Sequence, residues 1–253
     1  MFNEILEKVK EFDTIIIHRH LRPDGDCIGS QFGLKYLIEE NFPEKTVYVV
    51  GDKIPDYLSF IGENNEISAD VYKEALVFVL DTSIKSRICD ERYALGKYII
   101  KIDHHDDSED FGNIMCVKNE EPANCQILTE FAVESNLKIN EKAAMALYTG
   151  LITHTGRFQF RGVSQKTFNA AGVLVNTGID VDKIYAYINL KDINSYKLQA
   201  YLYKHMKTTP NGVVYMYFTE KIMKIFKVSK DEAAALVSCM SSIKGSLFWI
   251  TFV

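Results

Sequence analysis

The stretch that decides the fold is residues 98–112, YIIKIDHHDDSEDFG, an apolar run that ends in an aspartate and two adjacent histidines. A short, continuous apolar run is typical of a strand buried on both faces of a sheet. Asp103, His104 and His105 stand where that strand ends. Taken alone, these three residues predict either a metal site or a polar loop that caps a strand. The rest of the chain has to distinguish the two.

Three more apolar runs of strand length precede this stretch: TIIIHRH at 14–20, TVYVVG at 46–51 and ALVFVLD at 75–81. Segments with helical periodicity lie between and after these runs, which predicts βαβ units and a parallel sheet. The sequence therefore predicts an α/β fold, with a parallel-sheet N-terminal domain covered by helices on both faces. We expect this domain to span residues 1–181. A helical linker should span 182–207, and a small, incomplete α/β lobe 208–253.

Composition excludes several functional classes. Of 253 residues, 47% are hydrophobic and 25% charged, and the formal net charge is -5 without any Lys/Arg run. This argues against a protein that binds long duplex nucleic acid. The five cysteines form no CxxC, which argues against a disulfide framework or a zinc knuckle. We found no signal peptide and no apolar run of membrane-spanning length, so we expect a cytoplasmic protein without a membrane partner.

Chemically competent side chains follow three of the predicted strands. The run at 14–20 ends in His20 and is followed by Asp24 and Asp26. The run at 75–81 ends in Asp81, and the run that begins at residue 98 ends in the Asp-His-His triplet. Asp24 and Asp26 could also serve as turn or N-cap residues, and Asp81 as a helix cap. Because the carboxyl ends of parallel strands share one edge, where ligands bind, we expect all these groups to converge.

The residue types suggest the chemistry. Carboxylates and imidazoles without thiolates suit Mn²⁺, Fe²⁺ or Mg²⁺ better than a structural zinc ion. The carboxylates also outnumber what one ion needs. Two ions roughly 3.5–4 Å apart, bridged by a carboxylate, would use them, and such a pair is typical of phosphoester hydrolysis.

Four motifs occur in a specific order: HLRPDGDCIGS, VLDTS, IDHH and GLITHTGRF. In this order they resemble the motifs of the DHH phosphoesterase superfamily, and their flanks look most like its nano-RNase/pAp phosphatase branch. The resemblance is close over residues 14–178 and looser beyond. It implies a DHH metal-binding catalytic domain, followed by a small C-terminal DHHA1-like lobe that closes over substrate.

The resemblance also implies roles for individual residues. His20 and Asp24 would hold one Mn²⁺, Asp26 and His104 the other, and Asp81 would bridge them. His105 would face the phosphate, and Asp103 would orient the histidine pair. The substrate contacts implied are Arg87, Arg157 and Arg161. For Arg87, a solvated helix arginine is an open alternative.

The sequence departs from the family pattern in two places. Where the fourth motif usually reads TDTG, this chain has THTG, so His154 stands in the position of an aspartate that holds the second metal. The loss of this negative charge should weaken the binding of the second ion or favour softer metals. The family's glycine-rich GGGH segment is missing after SLFWITFV at 246–253. The chain could be truncated, a shortened homologue, or completed by a partner, and the last strand should present an apolar edge.

Together these observations predict a phosphoesterase with two Mn²⁺ ions, with Mg²⁺, Fe²⁺ and Co²⁺ as alternatives. Its substrates would be very short RNA oligonucleotides, or small nucleotide phosphates such as pAp. Linear or cyclic dinucleotides are a near alternative, and polyphosphate a more distant one. An alternative of another class is a catalytically weakened homologue that binds nucleotides. A homodimer is left open.

Overall fold

The computed structural model describes residues 1–106, 109–190 and 192–253. Two compact units make up the chain, Met1–Ile188 and Asn189–Val253. None of the helices in the described part of the chain has the length and apolar character needed to cross a bilayer.

The first unit is built on a five-stranded sheet in the order β2-β1-β3-β4-β5, in which every neighbouring pair is parallel. Its strands are β1 (Thr14–His18), β2 (Thr46–Val49), β3 (Leu76–Leu80), β4 (Tyr98–Asp103) and β5 (Ile114–Val117). All five residues of β3 are buried, as its continuous apolar sequence predicts for a central strand. The predicted parallel α/β fold is confirmed.

The α-helices of this unit are α1 (Phe2–Glu11), α2 (Gly25–Asn41), α3 (Asn124–Glu134), α4 (Glu141–His154), α5 (Gln165–Val175) and α6 (Val181–Asn189). Ile15 and Ile17 of β1 pack into the core that α1 to α5 form. Ile16, between them, faces the opposite core, where Tyr72 lies. That second face is covered by short 3₁₀ helices, among them Ala69–Glu74 and Glu91–Leu95, and by loops.

Helices α2 and α4 approach each other closely because glycines lie at their contact. A Cβ atom on Gly29 would lie 2.6 Å from the Ala146 carbonyl oxygen, and one on Gly150 would lie 2.9 Å from the Gly25 carbonyl oxygen. Real Cβ atoms do not come this close, so larger residues would push the helices apart. This contact brings the end of α4, at His154, to the beginning of α2.

The second unit contains α7 (Ile193–His205), β6 (Lys207–Thr208), β7 (Val213–Tyr217), α8 (Glu220–Phe226), α9 (Lys230–Ala235) and β8 (Phe248–Phe252). Its sheet has the order β6-β7-β8. Ser229 caps α9 by accepting a hydrogen bond from the Glu232 N–H. Strand β8 is an edge strand with exposed apolar residues, including Phe248 and Trp249. The expected apolar edge is therefore present.

The predicted helical segment at 182–207 is two helices rather than one. Helix α6 ends at Asn189, and Asp192 caps the start of α7 by accepting a hydrogen bond from the Asn194 N–H. The side-chain oxygen of Asp competes with helical hydrogen bonding, which is why Asp favours a cap over a helix interior. Residue 191 lies outside the described residues. The assignment of 1–181 and 208–253 as catalytic and substrate domains stays a prediction.

Candidate active site

The candidate site lies at the carboxyl ends of β1, β3 and β4, which are neighbours in the sheet. His20 follows β1 by two residues, Asp81 follows β3 directly, and Asp103 ends β4. The strand order reverses between β1 and β3: β2 is added to the sheet beside β1, whereas β4 is added on the opposite side, beside β3. Open α/β sheets bind ligands at such a switch point. The three strand-end motifs therefore meet where the fold favours a site.

Asp24 and Asp26 come from the N-terminus of α2, and both are fixed by backbone amides. Asp24 Oδ1 accepts a hydrogen bond from the Cys27 N–H at 3.0 Å, so Asp24 is indeed an N-cap residue. The fully buried Asp26 carboxylate accepts hydrogen bonds from Asn124 and Cys125 N–H, at 2.7 and 2.8 Å. These amides belong to the first turn of α3, whose dipole favours a negative charge there. Asp24 thus caps α2 and also lies beside His20 and His154 in the cluster.

The Asp81 carboxylate lies at the centre of the cluster. Its Oδ2 is 3.6 Å from His20 Nε2, and its Oδ1 is 3.3 Å from His104 Nε2. Both oxygens are buried, yet neither has a hydrogen-bond partner of good geometry among the described residues. The Asp81 backbone has φ +52°, a left-handed conformation that is uncommon outside glycine and often marks functional sites. Strain and unsatisfied oxygens at one buried residue both indicate a ligand-binding role.

Backbone carbonyls fix which nitrogen His20 and His104 turn towards the carboxylates. Because a carbonyl oxygen only accepts, His20 Nδ1 must donate to Leu21 O at 2.8 Å, and His104 Nδ1 to Glu121 O at 3.2 Å. Each histidine therefore turns Nε2 towards the carboxylates. The His104 Nε2 atom is buried and has no hydrogen-bond partner in the described part of the chain. This arrangement is typical of metal-binding histidines, whose second nitrogen is held by an outer partner.

Asp103 organises the histidine pair. Its Oδ1 accepts hydrogen bonds from the His104 N–H at 2.9 Å and from His105 Nδ1 at 2.7 Å. His105 therefore directs Nε2 away from Asp103, and 35% of its side chain is exposed. His104 faces inward while His105 faces solvent, so the two adjacent histidines have different environments.

His154, at the end of α4, lies inside the cluster. Its Nδ1 is 3.6 Å from Asp24 Oδ2 and 3.9 Å from Asp26 Oδ2, and its ring centroid is 4.9 Å from that of His104. The close contact of α2 with α4 places it there. The structure thus brings together all six residues predicted as metal ligands: His20, Asp24, Asp26, Asp81, His104 and His154.

These residues fit divalent cations. Three sets of side chains each offer ligand atoms within 4.8 Å of one another: Asp26, His104 and His154; Asp81, His104 and His105; and His20, Cys27 and Asp81. Asp81 belongs to two of these sets and His104 to two, as expected of a site with more than one ion. Cys27 was not among the ligands predicted from the sequence, and its buried thiol joins the His20 set. The available signal was its place directly after Asp26, in the first turn of α2.

The cluster has unusual electrostatics without an ion. Burial lowers the pKa of His104, but contact with Asp81 and the charge of Asp26 outweigh this and raise it to about 9. Burial likewise lowers the pKa of His154, but Asp24, Asp26 and Asp81 raise it to about 9. For Asp24, burial raises the pKa of the carboxyl, yet His154 and the Cys27 N–H together hold it well below its usual range. At neutral pH, positive charge on these two imidazoles thus offsets the negative charge of the neighbouring carboxylates.

A pH-dependent stability follows for the protein stripped of divalent ions with EDTA. The folded pKa values of His104 and His154, about 9, exceed the unfolded value of 6.5. Their stabilisation is therefore fully present below pH 6.5 and is lost as the pH rises through about 9. Each unit of pKa corresponds to about 1.4 kcal/mol, although the two imidazoles share the same carboxylates. We expect the melting temperature in EDTA to fall across this range, by calorimetry.

Saturating Mn²⁺ is the control for this trend. Metal ligands must be deprotonated, so with Mn²⁺ the melting temperature should rise over the same pH range. A melting temperature in EDTA that rises or stays constant would contradict the assigned protonation of the two histidines.

The three arginines predicted to bind substrate are all exposed. Arg87 ends the 3₁₀ helix Lys85–Arg87, and its carbonyl accepts a hydrogen bond from the Leu21 N–H at 2.7 Å, beside His20. The guanidinium of Arg157 lies 6.0 Å from the Tyr185 ring centroid. Arg161 follows a turn in which Arg157 and its two neighbours all have positive φ values. Contact of these arginines with substrate stays a prediction.

The family model described as "DHH family, N-terminal domain" matches residues 14–151. The chain belongs to the DHH family. The matched region includes β1, β3 and β4 and every residue of the cluster except His154.

Two curated relatives align with the whole chain. A protein of Streptococcus mutans named "Probable bifunctional oligoribonuclease and PAP phosphatase NrnA" is 38% identical over 100% of this chain and 81% of its own length. The Bacillus subtilis protein named "Bifunctional oligoribonuclease and PAP phosphatase NrnA" is 32% identical, over 100% of this chain and 82% of its own. The crystal structure of an exopolyphosphatase-related protein from Bacteroides fragilis superimposes with a TM-score of 0.88. It is 26% identical and covers 98% of this chain and 78% of its own.

Proposed function

We propose that this protein is a metal-dependent phosphoesterase that hydrolyses very short oligoribonucleotides, pAp, or both. The observation that carries the proposal is the buried Asp81 carboxylate, whose two unsatisfied oxygens face His20 on one side and His104 on the other. Such a group is suited to bridging two cations. The names of the relatives from Streptococcus mutans and Bacillus subtilis point to the same substrates.

The cluster divides into two halves around Asp81. His20 and Asp24 would hold one ion, with the Cys27 thiol within reach, and Asp26, His104 and His154 would hold the other. Mn²⁺ is the first candidate, because carboxylate and imidazole ligands predominate, with Mg²⁺, Fe²⁺ and Co²⁺ as alternatives. When bound, a pair of divalent ions supplies positive charge to phosphoryl oxygens and makes water a better nucleophile near neutral pH.

The chain's own residues would orient the substrate and move its protons. His105 is half-buried, and Asp103 would fix it in the tautomer that leaves Nε2 free to contact a phosphoryl oxygen or a leaving group. The exposed guanidiniums of Arg87, Arg157 and Arg161 would bind further phosphates, since Arg pairs with phosphate through two parallel hydrogen bonds. The absence of a Lys/Arg run fits a short substrate rather than a long duplex.

A substrate screen tests this proposal. The purified protein is incubated with Mn²⁺ and pAp, pApA, short oligoribonucleotides, a cyclic dinucleotide or polyphosphate, and products are separated by chromatography. We expect hydrolysis of pApA and pAp to be fastest. A preference for the cyclic dinucleotide or polyphosphate would replace the proposed substrate class. No turnover with any substrate or metal would support the weakened, nucleotide-binding homologue.

A further inference from the structure

Lys101, in the middle of β4, carries a fully buried ammonium group. Its Nζ donates hydrogen bonds to the carbonyl oxygens of Ser83 and Glu109, both at 2.8 Å, and lies 3.7 Å from Asp103 Oδ2. The same atom lies 4.3 Å from the centroid of the Phe111 ring. Burying a charge is costly unless it is paired and hydrogen-bonded, so these contacts are what keep the lysine inside.

Packing alone does not require a lysine at this position. Side chains alternate along a strand, so Lys101 and Asp103 share one face of β4 while Ile100 and Ile102 face the helical core. The neighbours of Lys101 on its own face belong to an apolar cluster that includes Val79. An aliphatic residue would fill this space without a desolvation cost. The ammonium group therefore has a role that depends on its charge or on its hydrogen bonds.

The two carbonyl contacts join loops on either side of the site. Ser83 follows Asp81 by two residues, and Glu109 lies on the loop that follows His105. The Glu109 N–H also donates to Ser83 O at 2.7 Å, so the loops are in direct contact. Lys101 thus contacts both loops and Asp103 at once.

Asp103 connects this ammonium group to His105. Lys101 approaches Oδ2 of the carboxylate, whereas His105 Nδ1 donates to Oδ1 at 2.7 Å. We propose that Lys101 is a positioning residue, whose ammonium group holds the Asp103 carboxylate in the rotamer that presents Oδ1 to His105. His105 is in turn held with Nε2 directed towards the substrate. This inference rests on the proposed function, because it assigns a part of the same hydrolytic site.

A double-mutant cycle tests whether Lys101 acts through Asp103. Lys101→Met preserves the aliphatic stem and removes the charge, and Asp103→Asn preserves shape. With pApA as substrate, we expect Lys101→Met to lower kcat roughly 10–100-fold, the usual cost of losing an outer partner. KM should stay within about threefold, because bound substrate should still meet the same arginines. In the Asp103→Asn background, Lys101→Met should change kcat by less than about threefold.

If the two losses multiply instead, Lys101 acts independently of Asp103 and the proposal is wrong. Lys45→Met is the matched control, because Lys45 is also buried and also donates to two carbonyl oxygens, those of Lys10 and Phe12. It removes a comparable buried ammonium group from a part of the unit without site residues. Lys45→Met should lower the stability of the fold without changing kcat. If Lys45→Met lowers kcat as much as Lys101→Met does, Lys101 has only a structural role.

Nitrogen-15 NMR of histidine and lysine side chains gives a readout that does not require turnover. In the EDTA-treated protein, Lys101→Met should shift the His105 Nδ1 resonance and leave that of His18 unchanged, since His18 contacts Tyr72 instead. If Lys101→Met does not fold, Asp103→Asn should shift both the Lys101 Nζ and the His105 Nδ1 resonances. An unmoved Lys101 resonance would overturn the proposal. These shifts are expected even if the substrate screen finds no hydrolysis, so the two proposals fail separately.

Discussion

Replacing Asp81 with asparagine should lower the rate of phosphoester hydrolysis on the order of 10³-fold, the scale on which a central electrostatic group contributes. Both carboxylate oxygens lack a partner of good geometry among the described residues, and each faces a different histidine. An amide offers only one acceptor oxygen and no charge, so neither half of the cluster should retain its cation. Asparagine is preferable to alanine because it tolerates the left-handed backbone at this position.

The matched variant is Asp103→Asn. Asp103 accepts hydrogen bonds from His104 and His105 and, in the proposed site, is not a ligand of the cations, so its loss should cost only about 10–100-fold. Calorimetric titration with Mn²⁺ should show binding lost in Asp81→Asn and retained in Asp103→Asn. Equal losses of rate, or unchanged Mn²⁺ binding in Asp81→Asn, would contradict the central role of Asp81.

Replacing His154 with aspartate should tighten the binding of divalent ions by about tenfold or more, which corresponds to about 1.4 kcal/mol. The carboxylates of Asp24, Asp26 and Asp81 carry at most three negative charges against two divalent cations. The new carboxylate would add a fourth beside Asp24 and Asp26, where His154 Nδ1 now lies. The measurement is a titration of Mn²⁺ against the rate of pApA hydrolysis.

The pH dependence of the two proteins should differ as well. Because the pKa of His154 is raised to about 9, its proton competes with a cation at neutral pH. Apparent Mn²⁺ affinity should therefore fall more steeply with decreasing pH in the wild type than in His154→Asp. His205→Asp makes the same chemical change at an exposed histidine of the second unit, and controls for net charge. Identical titrations for the wild type and His154→Asp would show that residue 154 does not bind the cation.

Turnover by His154→Asp but not by the wild type would have a different meaning. It would identify the natural histidine as the cause of a weakened site, and the protein would then be a nucleotide-binding homologue of a hydrolytic family. The structure makes this a direct comparison, because His154 occupies the site with its ring nitrogen close to two carboxylates.

Much of the fold could be predicted from local sequence. The runs that became β1, β3 and β4 are largely apolar, with Lys101 as the exception in the interior of β4, and such runs are typical of strands covered on both faces. Strand ends in one parallel sheet share an edge, so the convergence of His20, Asp81 and His104 followed from chain order alone. The break before α7 was not predicted, because the periodicity of 182–207 continues through Asp192 and only the local cap reveals the boundary.

By itself, the sequence determined the class of the fold, the edge of the sheet that carries the site, and the residue types available to bind cations. Tertiary structure decided which of these groups face one another. It placed His154 beside Asp24 because glycines let α2 and α4 touch, and it turned Asp81 into the cluster through a left-handed backbone. It also buried Lys101 beneath Asp103. The contacts of His154 with Asp24 and of Lys101 with Ser83 join residues distant in sequence, and local pattern carries no information about their distance or orientation.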